Sequence, residues 1–170
     1  IIEDNCESLG ALYNDKYTGT IGLMGSHSSF FSHHISTMEG GIILTEDEEI
    51  YHILLSLRAH GWTRNLPKNN KLSIEIKDDP FEENFRFIFP GYNFRPIEFS
   101  GAIGIEQLKK FPLFLKERKK NAHLFKEIFS QNKNFLIQRE IGISSWFGFS
   151  IVITKDSDMT RKELLSRLNN

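Results

Sequence analysis

The residues best suited to chemistry are concentrated between Ser28 and Gly41, SSFFSHHISTMEGG, where His33 and His34 stand side by side and the stretch closes on Glu39-Gly40-Gly41. Imidazole gains and loses a proton near neutral pH, and adjacent glycines let the backbone pass close to something bulky. Acid–base work on a bound ligand is one reading of that pattern. A polar loop around a hydrogen-bonded core histidine is the other. A metal site from His33, His34 and Glu39 is weak, because neighbouring histidines point apart in extended chain and no further ligand follows at a recognised spacing. A second pair, Asp4 and Glu7, is spaced to put both carboxyl groups on one side of a helical turn, where they could hold one cationic group; Asp4 suits the role of a simple cap equally. A third group, Arg58, His60 and Arg64 beside Trp62, suits either a grip on an anionic or sugar-bearing ligand or cations favoured by a helix C-terminus.

These residues need elements to hold them. Phe30-Phe31 reads as the end of a buried strand and Gly41–Leu44 as the next strand, so His33 to Gly40 becomes the connection between them. Loops at strand ends are where open α/β folds keep their chemistry. Ile1–Asp4 reads as the end of a buried strand, Asn5–Ala11 as a short helical turn and Asn14-Asp15 as a turn, with a glycine-bent ribbon over Lys16–Thr20 and Gly22–Gly25. Thr45-Glu46-Asp47-Glu48 predicts a capping box and a helix from about Glu46 to His60, stopped by Gly61 and burying Ile50, Ile53, Leu54 and Leu57.

Farther on, Pro67–Glu83 is polar and reads as a surface excursion. Arg86–Phe89 reads as a short strand. Pro96 opens a helix with Ile97, Ala102, Ile103, Ile105, Leu108 and Phe111 inward, Pro112 interrupts it, and a second helix runs from about Leu113 to Ser130 with Arg118, Lys119 and Lys120 on a solvated face. Phe135–Ile137 and Ser144–Ile153 read as strands, and Thr160 with Glu163 predicts a capping box on the last helix. The pattern is α/β followed by a helix and α+β. The opening strand and the closing helix both look like parts of larger elements, which predicts further chain at both ends.

Composition narrows the function classes. Of 170 residues, 39% are hydrophobic and 25% charged, which excludes disorder, and a formal net charge of -1 gives no electrostatic case for nucleic acid or an anionic membrane. No apolar run approaches the roughly 20 residues that span a bilayer. The single Cys6 excludes an internal disulfide and fits a reducing compartment, so a cytoplasmic location is expected.

Three separated stretches, IIEDNCESLGA, SSFFSHHISTMEGG and GYNFRPIEFSGAIGIEQLKKF, together resemble the sugar aminotransferase family of pyridoxal-phosphate enzymes with the aspartate-aminotransferase fold, fold type I. Ser145-Trp146-Phe147-Gly148-Phe149 extends the likeness. In that family a lysine stands where this chain has His33, followed by Asn, Ile, Thr, Thr, Gly, Glu, Gly and Gly. The departure is similar to one branch, the 3-dehydratases of nucleotide-linked 4-keto-6-deoxy sugars, and LRAHGWTRNLP is most similar to members acting on the GDP-4-keto-6-deoxymannose sugar.

The resemblance implies an α/β fold in which residues 1–111 form the C-terminal part of a large cofactor-binding domain, and residues 112–170 a linking helix and the start of a small α+β domain, all within a longer chain. It implies pyridoxal 5'-phosphate and pyridoxamine 5'-phosphate as cofactor forms, a nucleotide sugar and glutamate as substrates, and a homodimer with shared sites. His33 would replace the lysine as proton carrier, since imidazole moves protons but forms no Schiff base with the cofactor aldehyde. Asp4 matches the partner of the pyridine nitrogen, Glu7 a residue close to the ring, Ser28 a phosphate ligand and Asn93 a phosphate ligand lent by the neighbouring subunit. His34 stands where aminotransferases carry Asn, in a supporting role. An aminotransferase that has replaced its lysine, and a non-catalytic binding relative, are the competing readings.

Overall fold

A computed structural model describes residues 1–72 and 77–169. Its organising unit is a three-stranded sheet of order β1-β4-β5, formed by Ile2–Asp4, Met24–Ser28 and Gly41–Leu44. The central strand β4 runs parallel to β1, with Asp4 opposite Ser26, and antiparallel to β5, with Ser28 opposite Gly41. The expected strand end at Phe30-Phe31 is therefore misplaced. β4 stops at Ser28, and Phe31 is 67% exposed. The reason is local: the Ser28 hydroxyl accepts from the Phe30 amide and the Ser29 carbonyl accepts from the Thr37 amide, so these backbone groups are satisfied inside a loop rather than in a ladder. Ile2 on β1 is also exposed, against the expectation of a buried strand.

Between β1 and β4 the chain makes turns rather than a helix at Asn5–Ala11. It then forms a hairpin of β2 (Leu12–Tyr13) and β3 (Lys16–Tyr17). Asn14 and Asp15 both take positive φ, 48° and 62°, as a two-residue hairpin turn requires. The predicted ribbon is shorter than expected, and Met24-Gly25 belongs to β4. Glu3 fixes the return: its carboxylate accepts from the amides of Gly19 (2.7 Å), Ile21 (2.8 Å) and Gly22 (2.6 Å).

Helix α1 covers Glu48–Leu57, and its cap is Asp47, whose carboxylate accepts from the amides of Glu49 and Ile50. The expected box on Thr45 does not form, because the Thr45 hydroxyl donates to the Leu23 carbonyl instead. His52 and Ser56 are its buried residues, whereas Ile50, Ile53, Leu54 and Leu57 are only half-buried. After α1 the chain turns through His60 and Gly61, at φ 63° and 83°. Gly61 is required there twice over: its φ is left-handed, and a Cβ would lie 1.7 Å from the Phe89 carbonyl oxygen. The returning strand expected at Arg86–Phe89 is only a bridge between Trp62 and Phe87. Within the Pro67–Glu83 excursion, α2 begins at Pro80 and runs to Asn84; the part at 73–76 lies outside the described residues.

Helix α3, Glu98–Phe129, is continuous through Pro112, contrary to the expected break. A proline there removes one hydrogen bond to the Leu108 carbonyl. Leu108 and Pro112 both lie on the exposed side, where water can satisfy that group. Ile97, Ala102, Ile105 and Leu108 are exposed, so the apolar face read as inward lines an open cleft instead, opposite Ile42 of β5. The far end of α3 builds a small core from Ala122, Phe125 and Trp146, with Phe129, Ile137 and Ile151 packed against it.

Here β6 (Phe135–Ile137) pairs antiparallel with β7 (Ile151–Ile153). The expected strand from Ser144 is reduced to β7, because Trp146 takes φ 51° and the preceding segment folds back over α3. Glu140 holds that fold-back, accepting from the Ser144 amide (3.0 Å), the Trp146 indole (3.1 Å) and Lys126 (2.7 Å). Burial pushes the Glu140 carboxyl up, but these donors outweigh it and leave it below the usual carboxylate range. The predicted Thr160–Glu163 capping box opens α4, Arg161–Leu168. No helix among the described residues is long and apolar enough to cross a membrane.

Candidate active site

The parallel pairing of β1 with β4 brings their C-terminal ends together, and the Asn5 amide donates to the Ser26 carbonyl (2.8 Å) just beyond Asp4. Asp4 is exposed, with Oδ1 accepting from the Cys6 amide (3.1 Å). Hydrogen bonds from the Cys6 side chain and amide hold its carboxyl below the ordinary range, so it is a carboxylate at neutral pH. The Glu7 carboxylate is exposed too. Ser28 closes β4 with its oxygen accepting from Phe30, which leaves the hydroxyl proton available to a ligand.

The loop after Ser28 is closed at its neck. The Ser29 amide donates to the Gly40 carbonyl (3.0 Å), the Thr37 amide to the Ser29 carbonyl (2.8 Å), and the Thr37 hydroxyl to the Ser29 hydroxyl (2.7 Å). Gly40 is needed at this neck, since a Cβ there would approach the Ser29 hydroxyl to 2.5 Å. Within the loop, the His33 amide donates to the Phe30 carbonyl, and the half-buried His33 ring lies 5.7 Å from the Phe30 ring and 5.2 Å from that of Phe147. Its Nδ1 has no protein partner.

His34 also packs on Phe147, at 5.4 Å, but is only 3% exposed. Its Nε2 lies 3.0 Å from the Glu7 carbonyl and 3.2 Å from the Ser145 hydroxyl. Burial pushes its pKa below the ordinary imidazole value, against a smaller upward pull from the Glu7 carbonyl.

A cavity of about 490 Å³ opens beside His33, between the loop, α3 and the Trp146–Phe149 segment. Its α3 wall includes Gln107, Phe114, Arg118 and Asn121. Arg118, expected on a solvated face, is half-buried and donates to the carbonyls of Trp146 (3.3 Å) and Phe147 (3.1 Å). Residues 107, 111, 114, 118 and 121 recur at helical spacing, a periodicity that would have placed Arg118 on the Phe111 face rather than with Lys119 and Lys120. Ser145 and Phe147 were also missed, for want of any spacing that links them to the histidines.

The parallel register thus sets the ends of β1 and β4, Asp4 and Ser28, at the same end of the sheet, with Glu7 and His33 on the segments that follow them. Asn93 is not among them. It lies across from Ala59, in a backbone bridge flanked by His60 amide to Tyr92 carbonyl (2.9 Å) and Phe94 amide to Arg58 carbonyl (2.8 Å), and its side chain accepts from Arg95. Arg64 lies over the Trp62 ring, which stacks on Phe87.

The sequence profile of the DegT/DnrJ/EryC1/StrS aminotransferase family matches residues 1–170. The chain is 61% identical over 170 residues to a GDP-4-keto-6-deoxy-D-mannose 3-dehydratase of Escherichia coli O55:H7, covering all of this chain and 44% of that protein. It is 61% identical over 168 residues to the enzyme of the same name from Yersinia pseudotuberculosis, covering 99% and 43%. Among solved structures, the E. coli 3-dehydratase with bound hydrated pyridoxal phosphate superposes with a TM-score of 0.94 at 62% identity, over 99% of this chain and 43% of that one. Helicobacter pylori PseC, an aminotransferase of pseudaminic acid biosynthesis, superposes at 0.80 with 28% identity, over 99% and 42%. The chain therefore spans less than half the length of these curated relatives.

Proposed function

The chain belongs to the DegT/DnrJ/EryC1/StrS aminotransferase family, and from that premise we propose that it is part of a pyridoxal-phosphate- and glutamate-dependent 3-dehydratase. The substrate would be a nucleotide-linked 4-keto-6-deoxy sugar, GDP-4-keto-6-deoxymannose, in dideoxysugar and O-antigen biosynthesis. The observation that carries this reading is His33: the loop where aminotransferases keep their lysine has an imidazole with a free Nδ1, and no lysine occurs between Lys16 and Lys68.

The residues present fit the cofactor. Asp4 keeps an ionised carboxylate at the sheet end, suited to a protonated pyridine nitrogen. Ser28 keeps a hydroxyl proton for a phosphate oxygen, and Glu7 stands one turn from Asp4. When bound, the cofactor supplies an amine for the sugar C4 ketone and an electron-withdrawing ring. His33, not tied up in any covalent link, moves a proton from the cofactor C4′ carbon and assists departure of the C3 hydroxyl as water. Glutamate would restore the amine, and ammonia would leave with the dideoxy sugar.

Asn93 would serve the partner's site in a homodimer. A division near residue 111 into a large and a small domain, and a cytoplasmic location, belong to the same proposal. The test is incubation of the full-length protein with pyridoxal phosphate, glutamate and the GDP-4-keto-6-deoxymannose sugar. Ammonia and a 3,6-dideoxy-4-keto sugar are expected; an amino sugar would make it a transferase, and no turnover a binding relative.

A further inference from the structure

We infer that His34 is a positioning residue: a buried neutral imidazole that pins the turn carrying Asp4 and Glu7, the loop carrying His33 and the Ser145–Phe147 segment into one unit. This role of His34 rests on the one proposed for His33, but its contacts stand without it. A carbonyl oxygen only accepts, so the Nε2 atom 3.0 Å from the Glu7 carbonyl carries the ring proton. The same N–H then reaches the Ser145 hydroxyl at 3.2 Å, and Ser145 is 1% exposed. Nδ1 is left as a buried atom with no protein partner. The ring is held edge-on to Phe111 at 6.2 Å and to Phe147 at 5.4 Å, and Phe147 in turn packs on the His33 ring. One side chain thereby braces Phe147, the ring that packs on His33.

The unit tolerates one charge state. Protonation at Nδ1 would place a cation in a buried site whose charged and titratable neighbours are Arg118 from α3, His33 from the loop and Glu7 from the turn. Two of these three disfavour a positive ring. Burial acts in the same direction, so the pinned state is the neutral one and is lost on acidification.

The test uses the full-length protein in three variants, His34→Gln, His34→Ala and Ser145→Ala, read by amide hydrogen exchange of segments 5–8 and 142–149 and by steady-state kinetics. His34→Ala should speed exchange in both segments and lower kcat by roughly 10–100-fold, the scale of a misplaced catalytic group, with a smaller change in KM. His34→Gln, whose side-chain amide can donate from nearly the Nε2 position, should recover most of both. Ser145→Ala, the milder cut should His34→Ala fail to fold, should speed exchange in segment 142–149 only. In wild type, the protection of both segments, corrected for the intrinsic slowing of amide exchange in acid, should fall as pH drops through and below the ordinary imidazole range. Unchanged exchange in these variants would overturn the inference. So would a loss of kcat that His34→Gln does not restore while exchange stays native, since that would make His34 a proton carrier. If the protein proves not to be a dehydratase, the exchange results still decide the positioning role, so the two failures are separable.

Discussion

Arg118 donates from one terminal nitrogen to two successive carbonyls, those of Trp146 and Phe147, and so ties the middle of α3 to the segment that covers His33. A guanidinium can serve both acceptors at once because its donors are fixed in a plane. Arg118→Ala leaves both carbonyls without this donor. Hydrogen bonds from a charged group contribute about 1.5–3 kcal/mol, so the urea midpoint of the full-length protein should fall accordingly. Arg118→Lys should recover only part of that loss, and full recovery would show that the planar fork is irrelevant.

His33→Asn should lower sugar dehydration by roughly 10²–10⁴-fold, the usual contribution of a positioned acid–base group. Pyridoxal phosphate should still bind, held through Asp4 and Ser28, and borohydride should not attach it covalently in wild type or in this variant. His33→Lys should become reducible by borohydride and lose dehydration. Absorbance of the cofactor and mass measurement after reduction check all of these, and near-native dehydration in His33→Asn would remove the proposed role.

The position of Asn93 makes a prediction about assembly. Asn93→Ala and His33→Asn subunits, each impaired alone, should regain activity when mixed and allowed to exchange. With random pairing, half the dimers are hybrids with one intact site, giving roughly a quarter of native activity. Absence of rescue despite verified exchange would mean that each site is built within one subunit.

Glu3 sets an acid limit on stability. Its folded-state pKa lies below the ordinary 4.5, chiefly through the Gly22 amide and further through Gly19 and Ile21. A depressed carboxyl contributes stability that is complete above its unfolded pKa and is lost as pH falls through the folded one. Melting temperatures measured from neutral pH to below about 4 should therefore drop more steeply in wild type than in Glu3→Gln. Glu3→Gln should be the less stable of the two at neutral pH. Parallel curves would show that the Gly19–Gly22 turn does not depend on the charge.

Much of the fold around the site was legible because its signals are local. The Asn14-Asp15 turn, the strand at Gly41–Leu44 and the Thr160–Glu163 box depend on residues within a few positions of each other. Asp4 is readable as a strand end from its own stretch, whereas Ser28 is singled out only by the family resemblance, because the strand was expected to run on to Phe31. What failed depends on remote partners. Pro112 is a reliable breaker only where the freed carbonyl is buried, and Arg118 is recognisable as inward only once Trp146 and Phe147 are known to lie over it. The turn at Trp146, with φ 51°, cannot be read from a residue type that rarely adopts it. The apolar face at Ile97–Leu108 was correctly seen as apolar, but periodicity says nothing about what lies opposite.

The neck at Ser29, Thr37 and Gly40 has a consequence for how such a site can change its chemistry. Because those contacts close the loop from its base, the backbone around position 33 is held chiefly by groups other than the side chain there, which adds ring packing on Phe30 and Phe147. Reactivity at that position is therefore separable from foldability: lysine or histidine can be exchanged with little thermodynamic penalty to the scaffold. Under the proposed function, one position then separates a lysine, which can hold the cofactor covalently, from a histidine, which can only move protons.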